Sequence, residues 1–170
     1  MLRIGVSVIL VVLFLGCKTQ KEIGEGKLSF PEADLSNTQD VNTPEGIAEA
    51  TSTIYKDLVE GKTTTADIYP ELIEYSAEVS RTQMKGMQNK FDESIRMSQD
   101  FFSQQNWHIK NFIFSKAIPG DNSMVGVYRI QVMDTGTLYY FKQDFIQENG
   151  AWKIRGDNIS DPFKIILNRK

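Results

Sequence analysis

Cysteine is almost missing from this chain: Cys17 is the single one in 170 residues. Residues 18 to 170 hold none, which excludes disulfides, thiolate nucleophiles and cysteine-ligated metals from everything after that position. Histidine is as scarce, with His108 standing alone. No glycine-rich phosphate loop, serine elbow or metal-ligand spacing occurs, so the sequence offers no cofactor or metal site. Cationic excess is missing too: the formal charge is -3, and becomes -4 without residues 1 to 17, whose only charged side chain is Arg3. Nothing there attracts nucleic acid.

What is present is concentrated at the start. Behind Arg3 an apolar stretch runs from Ile4 to Leu15 and closes on Gly16-Cys17. A cationic tip, a short apolar region and a small residue form the layout of a secretory signal, too short to span a bilayer comfortably. With cysteine at the cut, Leu13-Phe14-Leu15-Gly16-Cys17 resembles the lipobox of bacterial lipoproteins, although Phe14 stands where leucine is usual. The resemblance implies that residues 1–17 are a signal peptide with its lipidation site at Cys17, cleaved after Gly16. The protein would then be held on a membrane of the cell envelope by lipid alone. Lys18 after the cysteine implies the periplasmic face of the outer membrane if the envelope is Gram-negative.

Residues 18–42 read as a flexible tether, with Gly24, Gly26, Ser29, Pro31, Ser36, Asn37 and Thr38 and no sustained apolar period. The folded part begins near Thr43. Thr43-Pro44-Glu45 is a helix start: a capping hydroxyl, a proline with its φ already set, and an acid in the first turn. Ile47, Ala50, Thr51, Ile54, Leu58 and Val59 recur at helical spacing and Gly61 supplies the stop. A second helix starts at Thr64 and is broken or restarted at Pro70. A third is expected from about Ser80 to Gln104, weakened at Gly86, with Met84, Met87, Phe91, Ile95 and Phe102 on one stripe. The methionines read as core packing, with an adaptable pocket lined by Met84, Met87 and Met97 as the other option.

After Asn106 the period changes to two. Strands are expected over 107–115, 124–133, 137–147 and 151–155, with two-residue reversals at Thr135-Gly136 and Asn149-Gly150. Those turns would place Val132 opposite Tyr139, Ile130 opposite Phe141, Tyr128 opposite Gln143, Phe145 opposite Ile154 and Gln147 opposite Trp152. One face then carries the apolar and aromatic residues, and the other carries Arg129, Gln131, Lys142, Asp144, Lys153 and Arg155, with Asp144 across from Arg155. The first strand shows no consistent face.

Thr43-Pro44-Glu45, Gly61 and the closing Trp152-Lys153-Ile154 resemble the NTF2-like superfamily, and within it small bacterial lipoproteins that carry domains of unknown function. The resemblance implies an α+β fold: N-terminal helices packed on a curved antiparallel four-stranded meander, a cone, over residues 43–156. Residues 157–170 form a C-terminal extension beyond the pattern. The cone implies a site whose candidate lining is Tyr55, Tyr128, Tyr139, Phe141, Gln143, Phe145 and Trp152, and no catalytic residue transfers. Either helix one fills the cone, or an apolar or aromatic small molecule does. The function expected is a membrane-anchored ligand-binding or protein-interaction module. A small-molecule isomerase or dehydratase is the alternative, for which the wall lacks a carboxylate. Phe163, Ile165 and Leu167 either cover the sheet or meet a partner, and the superfamily implies a homodimer or another envelope protein.

Overall fold

The computed structural model describes residue 33 and residues 42–159, leaving aside the side chains of 83 and 156–159. Cys17, its apolar run, nearly all of the tether and the segment after Ile159 lie outside the described residues. Among the described residues four helices precede an antiparallel sheet, an α+β arrangement. None of these helices is long and apolar enough to cross a membrane.

Helix α1 spans Pro44–Val59, and the Thr43 hydroxyl accepts from the Gly46 amide at 3.1 Å as its cap. Helix α2 spans Thr65–Tyr75 and runs through Pro70 instead of breaking there. Proline removes only its own amide from the ladder, and the packing of Ile68 and Tyr69 before it holds the helix together. The third expected helix is two: α3, Glu78–Met84, and α4, Gln88–Gln105. Gly86 thus interrupts the chain outright. The Tyr69 hydroxyl donates to the Met84 carbonyl, which also accepts from the Met87 amide at 2.8 Å across the break, and burial pushes that phenol's pKa up. Ile95 and Phe102 of α4 are buried, whereas Met97 is 58% exposed, so Met84, Met87 and Met97 do not share one pocket.

Among the described residues the sheet has five strands: β1 Ile109–Phe114, β2 Ile118–Pro119, β3 Val125–Met133, β4 Leu138–Glu148 and β5 Ala151–Ile159. Their order is β1-β3-β4-β5, and the two-residue β2 adds a short pairing to β3. Helix α1 packs against β1 and β3, while α2 and α3 meet β5. Ala77 closes that edge, its amide donating to the Ile154 carbonyl at 2.8 Å.

The β4–β5 reversal is the expected one. Asn149 and Gly150 both take positive φ, 51° and 79°, and Phe145 pairs with Ile154 and Gln147 with Trp152. A Cβ added at Gly150 would meet nothing, so only the backbone opposes a side chain there. Gly150→Ala is expected to lower stability by about 1 kcal/mol, read from urea unfolding. An unchanged midpoint would contradict the turn.

The β3–β4 reversal differs by one residue. The Gly136 amide donates to the Met133 carbonyl at 3.0 Å, and Gly136 sits at φ 84°, so the loop is Asp134-Thr135-Gly136 instead of two residues. Gln131 therefore pairs with Tyr139, Arg129 with Phe141, Val127 with Gln143 and Tyr128 with Lys142. A one-residue slip turns a whole strand over. Tyr128, Ile130 and Val132 move to the face away from the helices, and Val127, Arg129, Gln131 and Met133 move beneath them. Asp144 pairs with Gly156 and not with Arg155, because a bulge at Arg155 shifts β5 by one position. A second bulge, at Lys110, explains the mixed pattern of β1: Ile109 lies on one side of it and Phe112 and Phe114 on the other, yet all three pack on the helix side.

Candidate functional site

The site is the seam between α1 and the sheet. On α1, Ile47, Ala48, Thr51, Ser52, Leu58 and Val59 are buried, so two hydroxyls interrupt an apolar stripe in its middle. Each hydroxyl donates to the carbonyl four residues back, Thr51 to Ile47 at 2.8 Å and Ser52 to Ala48 at 2.6 Å. Their lone pairs then face the sheet. Arg129 Nη1 donates to Ser52 Oγ at 2.9 Å, and Gln143 Nε2 donates to Thr51 Oγ1 at 3.3 Å.

Around these polar groups the register builds aromatic walls. Gln131 stands between Phe112 on β1 and Tyr139 on β4, and Arg129 between Phe114 and Phe141. The Arg129 guanidinium lies 4.5 Å from the Phe141 ring centre and 5.7 Å from that of Phe112. Such contacts favour a cation most where water is excluded, and Arg129 is 6% exposed. Gln131 is 1% exposed; its Nε2 contacts Met133 Sδ at 3.2 Å, and its Oε1 has no hydrogen-bond partner among the described residues. A buried amide oxygen left so costs about 1–3 kcal/mol.

Of the residues expected to line a pocket, Tyr139, Phe141, Gln143, Phe145 and Trp152 lie on the helix side. Phe145 is fully buried with Ile47, Ala48, Phe114 and Val127, and Trp152 packs at the margin of that cluster. Tyr55 and Tyr139 both pack on a second cluster, Val59, Phe102, Ile109 and Met133. Tyr128 does not join them, because the longer loop turns it outward. Arg129 and Gln131, expected on the solvent side, take its place. The signal for this was present: Asp134-Thr135-Gly136 is a three-residue hairpin loop with glycine where positive φ falls, and Thr51 and Ser52 mark hydrogen-bonding positions within an apolar stripe.

One acid reaches the end of this seam, Glu45 at the start of α1, which accepts from the Ala117 amide at 2.6 Å. Three others lie elsewhere. Asp144 is on the outward face, 2.6 Å from Lys142 Nζ. Glu60 and Asp57 are held by Lys62 at 2.7 and 3.7 Å near the end of α1. His108 is exposed, and its amide donates to Asp134 Oδ1 at 3.3 Å. Among the described residues no group of acidic, histidine and cysteine side chains could hold a metal. A separate polar cleft of about 340 Å³ lies between α3 and the Asn149 turn, lined by Glu78, Arg81, Thr82, Lys85, Glu148 and Asn149. Its Glu148 carboxylate already accepts from the Glu78 amide at 3.0 and 3.2 Å.

No family model, no curated protein and no solved structure matches this chain. The seam's own chemistry is what bears on function. It buries oriented amide and guanidinium groups among aromatic side chains, between α1 and the sheet.

Proposed function

We propose that this protein is a lipid-anchored, envelope-facing module that binds a small apolar or aromatic molecule carrying a hydrogen-bond donor. Its domain is NTF2-like, with the ligand taken between α1 and the curved sheet. Helices gathered on one face of an antiparallel sheet support the fold assignment, and the Leu13–Cys17 signature supports the anchor. The observation that carries the binding reading is Gln131. An amide oxygen that is buried, flanked by Phe112 and Tyr139, and without a described partner is what a ligand's N–H or O–H would satisfy. Isomerase or dehydratase chemistry would need a proton acceptor on this wall, and none of its described side chains is a carboxylate.

The test exploits the opposite effects of one substitution. Gln131→Met keeps the volume and removes the unsatisfied oxygen, so the ligand-free protein is expected to gain about 1 kcal/mol in urea unfolding. The same variant is expected to lose thermal stabilisation by small aromatic amides and phenols, which for the unmodified chain reaches about 2.7 kcal/mol at a hundredfold excess over Kd. Loss of stability in Gln131→Met, or equal response of both chains to these compounds, would contradict the reading.

A further inference from the structure

The face of the sheet turned away from the helices is not a polar, solvated face. Ile113, Ile130 and Tyr140 form one row across β1, β3 and β4, and Tyr128 and Val132 flank Ile130 along β3. Ile113, Tyr128, Val132, Leu138 and Tyr140 are each half-buried, and Ile130 is 0% exposed. Ile130 nevertheless belongs to none of the three clusters built beneath the helices. Burial also raises the Tyr140 phenol's pKa. A row of this kind, enclosed where no described helix packs, has a cover.

Two stretches of chain are long enough to supply it. The one before α1 reaches the domain at Ala33, whose amide donates to the Phe114 carbonyl at 2.8 Å and which packs against the helix-side cluster, so it comes in at the β1 edge and toward the opposite face. The one after β5 starts from the edge strand opposite β1, where Ile159 pairs with Phe141, the neighbour of Tyr140. Residues 160–170 could span roughly 36 Å when extended, against roughly 14 Å for the three strand spacings from β5 to β1. Phe163, Ile165 and Leu167 also alternate with Lys164 and Asn168, except for Ile166, which gives that segment one apolar side at a period of two.

We propose that the C-terminal segment 160–170 docks across the outward face, with Phe163, Ile165 and Leu167 on the row of Ile113, Ile130 and Tyr140. This is independent of what the seam under α1 binds. So covered, the face is closed to pairing with a second copy.

Disulfide trapping tests the placement without background, because Cys17 is the only native thiol. In the full chain carrying Cys17→Ser, Tyr140→Cys or Val132→Cys is combined in turn with Phe163→Cys, Ile165→Cys or Leu167→Cys. At least one pairing is expected to give a monomeric, reductant-reversible band shift under mild oxidation, and Lys90→Cys on exposed α4 none with the same three. Covalent dimers alone would assign the face to a second copy and overturn the proposal, as would equal trapping by Lys90→Cys or no trapping anywhere. A second measurement does not depend on disulfide geometry. Phe163→Asp, Ile165→Asp and Leu167→Asp together, in the full chain, are expected to raise the fluorescence of an apolar-surface dye several-fold. Unchanged dye binding would overturn the docking.

Discussion

Cys17→Ser is expected to abolish metabolic fatty-acid labelling completely and leave a precursor that keeps residues 1–16. The thioether that would carry the diacylglyceryl group cannot form on a hydroxyl, and cleavage after Gly16 follows that step in the lipoproteins this segment resembles. The size of the effect comes from the anchor's physics. Each buried methylene contributes about 0.8 kcal/mol, one chain holds a protein only reversibly, and two suffice for stable residence. On the proposed anchoring, a processed chain without its lipid would have nothing to hold it on the membrane. Labelling that persists in the serine variant would show that Cys17 is not the acceptor.

Phe145→Ala is expected to cost about 3–5 kcal/mol, a large share of the roughly 5–15 kcal/mol that holds a domain together. Phe145 is fully buried at the point where α1, β1, β3 and β4 meet, touching the cluster of Ile47, Ala48, Phe114 and Val127. Truncation there removes apolar contact from four elements at once, and the backbone on either side is fixed by pairing to Val125 and Ile154 and cannot collapse into the gap. Urea unfolding of the chain from Lys18 onward reads the loss. By contrast, breaking the half-buried Lys142–Asp144 pair on the outward face is expected to cost about 1 kcal/mol. If the two substitutions were equally costly, the core would not lie where the register puts it.

Local signals in the chain were strong where one residue type has one physical use. Thr43-Pro44-Glu45 capped a helix as read, and Asn149-Gly150 set the second hairpin, because positive φ at both positions leaves few other choices. The first hairpin was legible only in part. Thr135-Gly136 supplies a glycine for positive φ in a two-residue loop or in a three-residue one, and what separates the two is whether Asp134 belongs to the turn. In the fold Asp134 does, its carboxylate accepting from the Thr135 amide at 2.9 Å. That single residue decided which side of β3 is buried, and with it whether Tyr128 or Arg129 faces α1. Hydrophobicity favoured Tyr128 for the interior, and the tertiary partners Ser52 and Phe141 are what make Arg129 acceptable there instead. Pairing of this kind joins residues 77 positions apart and leaves no local trace. The bulge at Lys110 is silent in the sequence, since neither it nor its neighbours carries glycine, whereas Gly156 beside Arg155 is a residue that marks such an irregularity.

The seam is thus a place where the fold tolerates polarity that a purely structural core would replace. Of its polar residues, Thr51, Ser52, Arg129 and Gln143 are held by hydrogen bonds across the seam, and Gln131 keeps an unsatisfied oxygen, the group on which the proposed binding rests. The most direct measurement is the mass, under native conditions, of the protein purified from its native host, before and after denaturation. The account predicts a small molecule that leaves on denaturation and is absent from Gln131→Met prepared in parallel. A native mass equal to that of the denatured protein, or a bound molecule retained undiminished by Gln131→Met, would contradict it.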